Sequence, residues 1–390
     1  MATIRYSKGM SAYRTGMDQL MDEHGDLLAE GRIGLVCHPA SMNRLFTHSA
    51  ILLRERLGDR LTCLLGPEHG FYGYGAAGEK IGHDVHPEWR IPIYSLYGDV
   101  ERALLEMAER VDVVVFDLQD MGVRCYTYVH TLRQILEAAQ QHGLRVVVTD
   151  RAVPHAACVD GPMRDAAFES IIAPVATPLV YGMTPGETAR WLCAGNGIDV
   201  PLEVIAARGY RRKAPHAEVW PSWSAPSPAI RSWECAMCFP VTVFTEALPQ
   251  LDCRRKTNMA FRVLCAEWLN APALAAALNA RNVPGVLFAP YHDVEEPDAP
   301  GIQMRVTEPS RFRPVRTGVL LLYEIQQLHG PDRLWRDERT NTSWFDRLMG
   351  TDRVRLLLQD GESPDKIADA WKVESGAFME SRKQALLYGE

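Results

Sequence analysis

Apolar residues follow two rhythms along the first half of this chain. Short unbroken runs at Ile33 to Cys37, Leu61 to Leu65, Val111 to Leu118 and Leu144 to Thr149 predict strands of a parallel sheet buried on both faces. Between them, Ser49 to Leu57, Val100 to Arg110 and Tyr128 to His142 carry their apolar positions at helical spacing. Strand, helix and strand at this repeat imply right-handed crossovers, so residues from about 30 to 180 are expected to form a Rossmann-like layer sandwich. Two polar clusters follow these strands, Glu68-His69 and Asp117-Leu118-Gln119-Asp120 through Arg124. The carboxyl ends of parallel strands are where such folds hold ligands, which makes both clusters candidates for one site.

The second half is less regular. Thr184, Pro185 and Glu187 spell the start of a helix. The Trp- and Pro-rich run from Trp220 to Pro228 excludes regular helix and central strand and is expected to be a loop crossing a domain interface. A strand is expected at Val241 to Glu246, helices at Ala260 to Leu278 and Val315 to Leu328 with a strand at Gly301 to Thr307 between them, and further helices from about Ser343 to Leu387. The fold class is thus α/β. A Rossmann-like parallel sheet domain (residues 1–180) carries the catalytic groups, and a smaller α+β domain (181–390) completes the cleft.

Composition narrows the chemistry. The 390 residues are too many for one ordinary core, 47% apolar and 23% charged content are those of a globular protein, and the net charge is -7 without a basic run, which disfavours nucleic acid as a partner. No eighteen-residue apolar stretch occurs, and Met1 to Met10 lacks the apolar core of a signal peptide, so no membrane partner and a cytoplasmic location are expected. Nine scattered cysteines agree with that location. Cys235 and Cys238 are spaced like half a zinc site, and His83 and His86 could be ligands, but neither pair has the further donors a metal needs, so no metal is expected. The first strand-to-helix turn lacks G-x-G-x-x-G, and neither a P-loop nor G-x-S-x-G occurs, so no cofactor is expected.

Glu68 stands after a Gly-Pro turn at a buried strand end, partly desolvated, as a carboxyl that must hold a proton near neutral pH needs to be. Acid–base cleavage commonly pairs such a group with a second one. Asp120 is the candidate for the second, with Gly122 bending its loop back, although a helix cap is an equal reading; Glu79 is either the second carboxylate or a hydroxyl-binding group. His69 is either a helper that tunes Glu68 or a packed ring. Arg124 could pair with a substrate carboxylate or with Asp117 or Asp120. Tyr126 and Tyr128 could stack on a sugar or sit in a half-buried segment. Asp117 is expected to be a structural acceptor, orienting His69 or Arg124.

Gly66-Pro67-Glu68-His69-Gly70-Phe71, Gly78-Glu79-Lys80-Ile81-Gly82, Asp117 to Arg124, Gly182-Met-Thr-Pro-Gly-Glu187, Pro226-Ser-Pro228, Phe312 to Gly318 and Gly350-Thr-Asp352 together resemble the bacterial exo-β-N-acetylmuramidase family of the NamZ type. The resemblance spans roughly residues 30 to 388. It implies a cleft between two domains that takes a terminal N-acetylmuramic acid from peptidoglycan fragments, a muropeptide or a related amino sugar, with Glu68 as the catalytic acid. Gln119, His38, Asp150, Arg151 and Glu246 fall at positions expected to bind substrate.

Departures cluster where the family touches its ligand. A G-T-N and S-x-G-R-G-T-T loop is replaced by Ala247 to Thr257, in which Glu246 and Arg254 or Arg255 keep the loop's chemistry. An Asn is replaced by His38, D-R-P-N-P by Asp150-Arg151-Ala152-Val153-Pro154, and a His by Tyr181. Three readings therefore stand: a glycoside hydrolase of the muramidase type, an enzyme using Glu68 on another small ligand, and a non-catalytic sugar or muropeptide binder.

Overall fold

The computed structural model describes residues 12–195, 197–220, 222–292 and 299–389. The N-terminal decapeptide on which the leader argument rests lies outside them.

Seven strands form the central sheet in the order β3-β4-β2-β1-β5-β6-β9. In chain order they are β1 (Ile33–Cys37), β2 (Leu61–Gly66), β3 (Asp84–Val85), β4 (Pro92–Ser95), β5 (Val113–Asp117), β6 (Arg145–Thr149) and, after a two-stranded antiparallel hairpin of β7 (Asp160–Met163) and β8 (Pro178–Val180), β9 (Leu202–Ile205). All neighbours in this sheet pair parallel except β3 with β4. The run of apolar residues in each strand divides between two faces. Val36, Leu65, Val114, Phe116, Val146 and Val148 belong to one apolar cluster, whereas Leu35, Leu64, Val115 and Val147 belong to another. Successive side chains point to opposite faces, so a strand covered on both sides must be apolar throughout.

The helices α1 (Gly16–Asp22), α2 (Ser49–Leu57), α3 (Val100–Ala108), α4 (Tyr128–His142), α5 (Pro185–Gly195) and α6 (His216–Val219) accompany this sheet in the chain. Because β9 joins the sheet, the sheet runs beyond the boundary expected near residue 180.

The remainder comprises α7 (Trp233–Thr242), β10 (Val263–Cys265), α8 (Ala271–Ala280), β11 (Val286–Tyr291), β12 (Gly301–Val306), α9 (Pro314–His329), α10 (Asp332–Trp335), α11 (Thr342–Met349), α12 (Arg353–Gln359) and α13 (Pro364–Arg382). Here β10, β12 and β11 make an antiparallel sheet. The larger apolar cluster reaches from Val36 to Phe378 and so crosses from the central sheet into these helices.

Two expectations fail here. Val241 to Glu246 is not a strand: α7 runs to Thr242 and a 3-10 turn spans Val243–Glu246. The β-branched residues of this stretch favour a strand only weakly, and the helix that Ser232 starts by accepting a hydrogen bond from the Cys235 N–H (3.2 Å) runs on into it. Ala260 to Leu278 is not one helix, because β10 occupies its first part and Asn270 caps α8 afresh. Cys235 and Cys238 are buried within α7, the His86 ring stacks on Trp89 (3.9 Å), and His83 Nδ1 accepts from the Ser95 N–H (3.1 Å).

Arg124 corrects a further expectation. It is wholly buried and donates to the carbonyls of Pro162 (3.2 Å), Thr177 and Met349 (2.6 Å), so it cannot meet a substrate carboxylate. Burial lowers its pKa to about 9. Gly350, at φ +72°, follows because a Cβ there would run into this guanidinium. Arg124→Met should strip three buried carbonyls of a donor and destabilise the fold by roughly 3 kcal/mol or more in urea unfolding; a loss below about 1 kcal/mol would show that the carbonyls find other partners.

Candidate active site

Glu68 sits in the turn that follows β2, half-buried at the edge of a cleft of about 600 Å³. Its Oε1 accepts the Gly78 N–H (2.7 Å) and its Oε2 the Thr127 hydroxyl (2.7 Å). Thr127 stands at the N-cap of α4, on the segment that Arg124 anchors. A hydroxyl can donate to a carboxylate or accept from a carboxylic acid, so this contact survives both protonation states of Glu68. His69 also lines the cleft. It is held at φ +73°, and its Nδ1 donates to the Gly75 carbonyl (2.8 Å), which fixes the proton of the neutral ring on that nitrogen. Glu79 is exposed and does not line the cleft: it accepts the Ala76 N–H (2.7 Å) and closes the turn that presents Gly78 to Glu68.

The opposite wall comes from the second half of the chain. Glu246 ends the 3-10 turn after α7, pairs with Arg255, and accepts from the Trp344 indole N–H (3.2 Å). Arg255 in turn lies over the Phe261 ring (5.4 Å). Ser227 and Pro228 also line the cleft, and Tyr126 packs edge-on against Phe239 (5.8 Å). Apolar and aromatic walls with a few converging charged groups suit a sugar, whose ring has apolar faces and a polar rim.

Asp120 does not reach this cleft. Its Oδ1 accepts the Met121 N–H (2.6 Å) and its Oδ2 the Tyr181 hydroxyl (2.9 Å), and burial raises its pKa to about 6. Nor does it cap a helix, since α4 begins at Tyr128 behind Thr127; it holds its own loop to Tyr181, with Gly122 at φ +75° turning the loop. The Tyr128 hydroxyl donates to the Pro226 carbonyl (2.6 Å). His38 donates to the same carbonyl from Nδ1 (3.2 Å) and accepts the Gln119 N–H at Nε2 (2.9 Å). Burial, assisted by the Arg151 charge, pushes His38 down to about 3, so it is a neutral strut for the Pro226 loop.

Asp117 binds Arg151 through both oxygens (2.5 and 2.7 Å) and accepts from Ser49, rather than orienting His69 or Arg124. Burial alone would raise the Asp117 pKa, but the Arg151 guanidinium outweighs it and holds the carboxylate low. Gln119 and Arg151 line a different cavity of about 340 Å³ under Trp220. Asp150 accepts from the Thr184 (2.7 Å) and Tyr388 (2.6 Å) hydroxyls and the Gly186 N–H (2.8 Å), joining α5 to the C-terminal segment.

Sequence reasoning overlooked Thr127, Ser227 and Trp344. Thr127 stands between the candidates Tyr126 and Tyr128 and Ser227 inside Pro226-Ser-Pro228, so the signal available for these two was adjacency; Trp344 carried none.

Two family models cover nearly all of the chain: the N-terminal part of exo-β-N-acetylmuramidase NamZ matches residues 33–234 and the C-terminal part residues 237–388. The chain belongs to the NamZ family. Similar to it is the peptidoglycan β-N-acetylmuramidase NamZ of Bacillus subtilis (strain 168), 30% identical over 382 residues, which covers 96% of this chain and 91% of that protein. Among solved structures, a DUF1343 family protein of Bacteroides fragilis NCTC 9343 superposes with a TM-score of 0.88 at 26% identity, covering 97% of this chain and 99% of that one. A second from the same organism, at 23% identity and a TM-score of 0.72, shares the fold. The two NamZ models meet between residues 234 and 237, at the start of α7, just before the chain enters the wall that carries Glu246.

The raised Asp120 pKa has a signed consequence. Between the unfolded value near 4 and the folded value near 6 the native state binds more protons, so this group's stabilisation is complete at low pH and lost as pH rises through 6. The stability of Asp120→Asn relative to wild type should therefore grow between pH 4 and pH 7, by on the order of 2–3 kcal/mol. Parallel urea melts of both proteins that keep a constant difference across that range would refute the shift.

Proposed function

We propose that this chain is an exo-β-N-acetylmuramidase that releases a terminal N-acetylmuramic acid from peptidoglycan fragments, with Glu68 as the general acid. The observation that carries the reading is that Glu68, from the parallel sheet domain, and Glu246, from the other half, line one cleft together with aromatic rings. Membership of the NamZ family and the activity named for the Bacillus subtilis relative support the substrate. A soluble muropeptide and a cytoplasmic location suit nine cysteines in a chain whose described helices are none long and apolar enough to cross a membrane.

Glycoside cleavage needs a proton on the departing oxygen and negative charge beside the oxocarbenium-like centre. Glu68, gripped at both oxygens, is positioned to give that proton. Glu246, which lines the same cleft and pairs with Arg255, takes the place of Asp120 as the second carboxylate of the site. His69, with its proton committed to Gly75, keeps the turn of Glu68 in shape.

A leaving group that is already acidic scarcely needs a proton, whereas a sugar hydroxyl does. Glu68→Gln should slow hydrolysis of a muramyl disaccharide by roughly 10²–10⁴-fold and that of the 4-nitrophenyl β-N-acetylmuraminide by much less, with the β-N-acetylglucosaminide a poor substrate throughout. Equal losses on both muraminides would make Glu68 the nucleophile rather than the acid. Undiminished disaccharide hydrolysis would remove it from catalysis.

A further inference from the structure

The Phe312 to Gly318 motif contributes nothing to the cleft. Its Arg313 and Arg316 instead join Arg281 and Arg311 around a separate cavity of about 200 Å³ between α8, α9 and the start of α13. Four guanidinium groups converge there in a protein of net charge -7. Three carboxylates answer them. Glu324, itself buried, holds Arg281 (2.7 Å), Glu308 holds Arg311 (3.2 Å), and Asp365 holds Arg316. Arg313 donates to the Ser310 (3.2 Å) and Phe312 (3.0 Å) carbonyls, and its charge also acts on the buried Asp160 carboxylate. Of the residues that line the cavity itself, four are arginines and one, Asp365, is a carboxylate.

The pairs of Arg311 and Arg316 are between exposed side chains, with about half of each arginine accessible, and such pairs are weak enough for an incoming dianion to displace. Leu320 and Val283 supply an apolar part of the wall. We infer that this cavity binds a small phosphate monoester, its phosphoryl group among the arginines and its carbon skeleton against Leu320 and Val283. A phosphoryl group offers three oxygens to several guanidinium forks, whereas a carboxylate saturates one or two. The site lies on elements that do not line the muramidase cleft, so the inference is independent of the catalytic assignment.

Calorimetric titration of the full chain with glucose 6-phosphate, inorganic phosphate and glucuronate tests it. Saturable binding of the first two is expected, with glucuronate, which carries a carboxylate on the same kind of ring, at least about tenfold weaker. Arg313→Met and Arg316→Gln should each weaken glucose 6-phosphate binding about tenfold or more and leave muraminide hydrolysis unchanged. Should Arg313→Met fail to fold, Arg311→Gln and Arg316→Gln, both at exposed positions, decide the matter. Absence of saturable binding, equal affinity for glucuronate, or affinity unchanged in the folded variants would overturn the inference.

Discussion

One buried guanidinium holds the active site together. Arg124 leaves the loop after β5, enters the protein interior, and ends on carbonyls of the β7–β8 hairpin region and of α11. A cation taken out of water is tolerated only where oxygens surround it, so the chain segments that supply those oxygens cannot drift independently. Thr127, three residues on, is thereby fixed against Glu68, and α11, which ends at Met349, carries Trp344 to Glu246. Both carboxylates of the cleft thus hang from one internal contact.

The acidic residues of the strand-end loops divide by side-chain length. Asp117, Asp120 and Asp150 are spent on neighbouring backbone and side-chain donors and shape the loops, as short carboxylates commonly do. The longer Glu68 and Glu246 extend from their turns into the cleft. In the loop after α7, Arg255 pairs with Glu246, while Arg254, at φ +53° and paired with Asp252 (3.0 Å), occupies a backbone conformation that favours glycine. A loop whose glycines are gone has therefore kept one arginine beside Glu246.

Much of the fold was legible in the linear pattern. The strands β1, β2, β5 and β6 and the helix α4 follow from apolar runs and helical spacing, because a fully covered parallel strand admits almost no polar residue. Glu68 was legible too, since a carboxylate after a Gly-Pro turn at such a strand end has few structural duties. Val241 to Glu246 was misread because β-branched Val and Thr favour a strand locally, a weak preference that tertiary packing at the end of α7 overrides.

The sequence by itself therefore determined the sheet, its crossovers and the place of Glu68 at its edge. Only the tertiary structure decided that Arg124 serves the fold, that Asp120 turns to Tyr181, and that Glu246 with Arg255 and Trp344 completes the cleft. Those outcomes depend on partners far away in the chain: Met349 lies 225 positions from Arg124, and Trp344 lies 98 from Glu246. Periodicity reports which face of an element is buried, but the direction of a loop side chain is set by whichever donor or acceptor folding brings beside it.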